Sequence, residues 1–322
     1  MNNSVKERIL VANDGSEHAL RMVEYLSSLL DRRRFEVVLY HVRTRVPESF
    51  IDFEKKTPAY NYGLVSVAEW DQKQKAAIES FMDKAKSIFL GAGFAENSVK
   101  VRIEDRKTGI AQDIVAESQN GYRALVLGRR GLSDLKDFML GSVAEHILGL
   151  VRVPLWVVGG GRRVSKVLVC LDGSEESMAL LTYMTSVLGG LSNIEICLFH
   201  AIRGFHSFRN FMREVFSSEA DKQAMEKFHS ELDQAASMMR PSFEHARQIL
   251  AAGGVDPARI QEKIARGAGN SAHAILQEAE EGGYDTIVVG RRGLSSVEEF
   301  AMGRISRRVI HLAKNKTVWV VC

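Results

Sequence analysis

The chain has 322 residues, 45% hydrophobic and 26% charged, which suits packed cores and excludes a collagen-like or disordered polymer. At ~100–200 residues per domain, the length implies two domains of ordinary size. Positions 1–160 hold 23 basic and 21 acidic residues and the remainder 20 and 19, so neither half is a basic module of the kind that binds nucleic acid by bulk charge.

The first eight residues, Met1-Asn2-Asn3-Ser4-Val5-Lys6-Glu7-Arg8, contain no apolar signal core. No later run approaches ~18 uncharged apolar residues, so a cytoplasmic protein without a membrane span is expected. From there, β-rich apolar runs alternate with helical patterns. Strands are predicted over 9–12, 36–42, 99–103, 124–127 and 155–158, with helices over 17–30, 69–90, 110–119 and 143–150. A second set of strands is predicted over 167–171, 194–200, 260–265, 286–289 and 317–321. Several runs are continuously apolar, as in strands covered on both faces. Crossovers of ten or more residues make the strands parallel and the βαβ units right-handed. The three cysteines, Cys170, Cys197 and Cys322, form no CxxC, and their odd number argues for free thiols in a reducing compartment.

The second set of elements repeats the first. Val126-Leu-Gly-Arg-Arg-Gly-Leu-Ser133 recurs as Val288-Val-Gly-Arg-Arg-Gly-Leu-Ser295. Ile9-Leu-Val-Ala-Asn-Asp-Gly-Ser16 recurs as Val167-Leu-Val-Cys-Leu-Asp-Gly-Ser174, and Leu155-Trp-Val-Val158 as Val318-Trp-Val-Val321. A period this long makes each copy a whole domain. The expected division is 1–160 and 161–322, linked through the glycines at 159–161. Each copy is predicted to be a doubly wound α/β domain with helices on both faces. Apolar terminal strands at 155–158 and 317–321 are sheet edges that need covering. Pairing them would join the copies with pseudo-two-fold symmetry.

Chemistry is expected beyond the carboxyl ends of the strands, where the winding reverses. Gly128-x2-Gly131-x9-Gly141-Ser142 follows the fourth strand and opens a helix. Glycines let backbone approach a ligand, and a helix start offers unpaired N–H groups to an anion. An ordinary turn, with Ser142 as the cap, is the competing reading. Asp14 and Asp172 end the first strand of each copy, as ligand carboxylates or as Asx-turn and N-cap residues. His41 and His200 end the second strands and are either catalytic or structural. The pairs Arg129-Arg130 and Arg291-Arg292 are either phosphate-holding or solvent-facing loop charges. No metal-ligand spacing or hydrolase elbow is visible.

The Val/Ile-rich strand, the run Asp14-Gly-Ser-Glu-His18 and the glycine spacing ending at Ser142 together resemble the nucleotide-binding class of universal stress proteins, in tandem over nearly the whole chain. That resemblance implies a five-stranded parallel sheet in each copy and a protective or regulatory role in stress. It implies binding of ATP, or AMP or ADP, with Mg2+ accompanying the phosphates. Asp14 would then face the adenine or ribose, and Gly128, Gly131, Gly141 and Ser142 the phosphates, with Arg130 of the loop pair a candidate beside them. In the second copy Asp172, Gly290, Gly293 and Gly303 are kept, but Arg304 stands in the place of Ser142. Arg304 can pair with a phosphate or fill the pocket, and one good site, in the first copy, is expected.

No general base is evident, so at most slow ATP hydrolysis is expected. The alternatives are a nucleotide-dependent enzyme on the same fold, or a scaffold for an apolar ligand or partner. The last draws on the aromatic stripe Phe205, Phe208, Phe211 and Phe216, whose simplest reading is a buried helix face. Family dimers suggest that a homodimer is also open to the chain.

Overall fold

The computed structural model describes residues 6–45, 67–129, 140–160, 163–189, 191, 193–204, 219–292 and 302–321. The aromatic stripe and the residues Arg130, Gly131, Gly293 and Cys322 lie outside these ranges. Contacts divide the chain into two units, one of residues 1–135 and 141–153, the other of residues 136–140 and 154–322.

The first unit holds β1 (Glu7–Ala12), α1 (Glu17–Leu29), β2 (Phe35–Arg43), α2 (Val67–Gly91), β3 (Val99–Asp105), α3 (Ile110–Ser118), β4 (Ala124–Gly128) and α4 (Ser142–Leu150). Its strands lie in the order β3-β2-β1-β4, all parallel. Ile9, Leu10 and Val11 in β1 are completely buried, as are Ala124, Leu125 and Val126 in β4. Continuous apolar runs are the pattern required when helices cover both faces. α1 begins where Ser16 accepts the Ala19 amide, and it buries Ala19, Met22, Val23, Leu26 and Leu29 at helical spacing.

The second unit holds β5 (Leu155–Val158), β6 (Lys166–Cys170), α5 (Glu175–Leu188), β7 (Glu195–Arg203), α6 (Glu219–Ala252), β8 (Ile260–Ala268), α7 (Ser271–Glu281), β9 (Thr286–Gly290), α8 (Arg304–Leu312) and β10 (Thr317–Val321). Five of its strands repeat the winding in the order β10-β9-β6-β7-β8, all parallel. β5 adds antiparallel to β10, with Trp156 opposite Trp319. The two indoles stack with centroids 4.3 Å apart and planes 9° from parallel, both fully buried. The apolar terminal strands thus cover one another. Gly160, just beyond β5, packs so closely that a Cβ there would stand 2.8 Å from the Asn315 carbonyl oxygen.

Among the described residues no helix is long and apolar enough to cross a membrane. Cys170 and Cys197 are free, and burial pushes both thiols up, keeping them protonated.

Candidate functional site

The chain leaves β1 for β2 and β3 on one side, then returns to β4 on the other. β1 therefore stands between β2 and β4, with Ala12 opposite both Tyr40 and Leu127. Parallel strands end together, so the segment after β1 and the segment after β4 emerge side by side at the reversal of winding. Asp14 is on the first of these segments, and Gly128, the last residue of β4, leads into the second.

The turn after β1 is tightly specified. The Ser16 amide donates to Asp14 Oδ1 at 3.0 Å, closing an Asx turn, and Ser16 then caps α1. Gly15 lies at φ +86°, and a Cβ there would stand 2.9 Å from Ile78 Cδ1 of α2. The left-handed backbone is what favours glycine here, and the Ile78 methyl would have to shift for any Cβ. Among the described residues the Ser16 amide is the one hydrogen-bond partner of Asp14, which leaves Oδ2 available. The Asx-turn alternative is therefore realised, and it orients the carboxylate rather than consuming it.

His41 holds the same turn from β2. Its Nδ1 lies 2.8 Å from the Asn13 carbonyl oxygen, which can only accept, so Nδ1 carries the proton. Burial holds the imidazole below its ordinary value, and it is neutral at pH 7. In the second copy His200 Nδ1 lies 2.7 Å from the carbonyl oxygen of Leu171, the counterpart of Asn13. Both histidines are thereby turn supports.

The glycine loop is closed at its base by the Gly141 amide, which donates to the Arg129 carbonyl at 3.0 Å. That bond brings the start of α4 beside the end of β4. Gly141 is the N-cap of α4 and supplies no side-chain cap; Ser142 is the exposed first helical residue rather than the cap. The first amides of α4 thus have no capping side chain, and they carry the positive end of the helix dipole. Arg129 is only 3% exposed, and its counterpart Arg291 8%, while Arg292 is exposed. The inner arginine of each pair is part of the packed base of its loop, which the sequence did not signal.

The second copy builds the same frame with different occupancy. Ser174 donates both its amide and its hydroxyl to Asp172 Oδ1, at 3.1 and 2.6 Å. The Gly303 amide donates to the Arg291 carbonyl at 2.8 Å, and the Ser306 hydroxyl donates to the Gly290 carbonyl at 2.6 Å. The position equivalent to Ser306 in α4 is Ala144, which has no hydroxyl to offer. Arg304, the first residue of α8, is exposed rather than turned into the protein.

Among the described residues no group of three or more His, Cys, Asp or Glu side chains comes together to hold a metal ion.

A curated relative, universal stress protein YxiE of Bacillus subtilis, is 37% identical over 71 residues, which is 22% of this chain and 45% of that protein. The crystal structure of a universal stress protein from Archaeoglobus fulgidus aligns over 99% of both chains at 20% identity, with a TM-score of 0.59. A universal stress protein solved in complex with cAMP covers 49% of this chain and 96% of its own at 21% identity, with a TM-score of 0.31. The profile of the universal stress protein family matches residues 6–159 and again 163–321. With two matches that together span nearly all of its length, the chain belongs to the universal stress protein family as a tandem of two copies of the domain.

Proposed function

We propose that the first copy binds an adenine nucleotide, ATP or its mono- or diphosphate, in the crevice beyond β1 and β4. The chain then works in the cytoplasm as a nucleotide-responsive binding module in stress survival. The observation that carries this reading is the pairing of two features at one reversal of winding. One is the oriented Asp14 carboxylate with an oxygen to spare; the other is the uncapped start of α4 behind Gly141. A carboxylate accepts from the adenine amine or the ribose hydroxyls, and a helix start receives phosphates. Gly128, Arg130, Gly131 and Ser142 complete the proposed phosphate side. Mg2+ would be carried largely by the phosphates themselves.

Isothermal titration with ATP tests this. Asp14→Ala is expected to weaken binding roughly 10- to 100-fold, the range for a hydrogen bond to a charged group. No heat of binding in the unaltered chain, or affinity unchanged by Asp14→Ala, would defeat the proposal.

A further inference from the structure

The exposed face of α8 is where charge separates the two copies. Where α4 carries Ser142, Glu145 and His146, α8 carries Arg304, Arg307 and Arg308, all exposed. Positions three and four apart share one face of a helix, so the three form a cationic stripe. Arg292 joins it, since its Cα would lie 3.7 Å from a Cβ placed on Gly303. Positions 302–316 contain no acidic residue, and Lys314 adds a further cation. The acids of the neighbouring α7 are engaged elsewhere: Glu278 with Lys263 at 2.5 Å, Glu280 with Lys316 at 3.4 Å, and Glu281 with Gln277 at 2.8 Å. Among the described residues no carboxylate pairs with Arg292, Arg304 or Arg308.

Two aliphatic side chains share this outward face. Ile305 is 37% exposed and Leu312 41%, one turn either side of Arg308, whereas Ser306, Val309, Ile310 and Ala313 are buried. A phosphate lattice such as duplex DNA would use the arginines and leave Ile305 and Leu312 in water. An anionic bilayer uses both, with guanidinium groups at the lipid phosphates and aliphatic groups at the headgroup–acyl boundary.

We propose that the outer face of α8, together with Arg292, is a peripheral docking surface for anionic phospholipid. It is independent of the nucleotide crevice of the first copy. Each arginine near such a surface contributes about fivefold in partitioning. The second copy thus carries a surface chemistry of its own on a helix that in the first copy is nearly neutral.

Vesicle flotation of the full chain tests the proposal, using phosphatidylcholine alone and with one-third phosphatidylglycerol. Flotation is expected only with phosphatidylglycerol, and it should weaken as salt rises. Installing the first-copy residues together, as Arg304→Ser, Arg307→Glu and Arg308→His, should lower partitioning on the order of 100-fold. Lysine at the same three positions should retain it. Unchanged circular dichroism and a thermal midpoint that is not lowered in either variant exclude loss of fold. Replacing Ile305 and Leu312 by serine should also weaken flotation, and this separates lipid from nucleic acid. Equal binding to neutral vesicles, no binding to either, or flotation indifferent to the three arginines overturns the proposal. So does tighter retention of a DNA duplex that ignores Ile305 and Leu312.

Discussion

Asp14 and Asp172 sit in the same Asx turn, yet the second has also taken up the Ser174 hydroxyl. Both turns depend on a left-handed glycine, Gly15 at φ +86° and Gly173 at φ +83°. Gly15→Ala adds a Cβ that meets Ile78 Cδ1 as well as the backbone penalty. A loss of about 1–3 kcal/mol is expected, read by chemical denaturation. Gly173→Ala should cost less, because its nearest neighbours, Met239 Sδ and Ser242 Oγ, stand at 3.5 Å. A second residue with a measurable signature is Tyr122. Its hydroxyl donates to Glu117 at 2.5 Å and accepts from Arg8 at 2.8 Å, and the Arg8 guanidinium lies 4.2 Å from its ring centroid. Burial, and next the Glu117 carboxylate, push the phenol up to about 12. An acid whose folded value is raised stabilises the fold fully below its unfolded value near 10. That contribution is lost as pH climbs through the folded value. Stability measured against pH should therefore fall between pH 10 and 12. Tyr122→Phe should flatten part of that fall and cost roughly 1–3 kcal/mol at neutral pH.

At the scale of elements, the central strands were legible because strands covered on both faces are continuously apolar, whereas β3 and β8, with most residues not buried, mix apolar and charged residues. Observed ends differ from the predicted ones by a few residues, as at β2, which gains Phe35 and Arg43. What the sequence could not show is set by partners remote in the chain. His41 and His200 look catalytic in isolation, and their roles depend on carbonyls 28 and 29 residues away. Arg129 and Arg291 look solvated because charge ordinarily is, and only the packed base of each loop buries them. Asp14 was legible as an Asx residue, though its spare oxygen was not. β5 is the opposite case, an element whose partner was legible: apolar terminal strands need covering, and β5 does pair antiparallel with β10. Trp156→Ala should therefore cost about 3–5 kcal/mol. The loss should appear as faster hydrogen exchange in β10, and protection of β10 unchanged by the substitution would contradict the assignment of β5 to that edge.

For the whole molecule, the duplication implies two equivalent sites, and the side chains argue for one. The frame is common: an Asx turn, a histidine bracing it, and a glycine loop closed by a backbone bond. The differences lie at the start of the last helix, where phosphates would arrive. In α8 the Ser306 hydroxyl ties the helix to Gly290, and Arg304 places a cation at the positive end of the dipole. A cation there costs about 0.3–1 kcal/mol, and Arg304→Ser should return a similar amount of stability. The proposed nucleotide stoichiometry is consequently one per chain. Titration of the unaltered protein with ATP should give a single class of sites, abolished or strongly weakened by Asp14→Ala and little changed by Asp172→Ala. Arg304→Ser should leave the first site intact and, if charge at the helix start is what closes the second, add a weaker one. Two equal sites in the unaltered chain would remove the inequality between copies. Loss of binding on Arg304→Ser would place the cation among the phosphate ligands and relocate the site to the second copy.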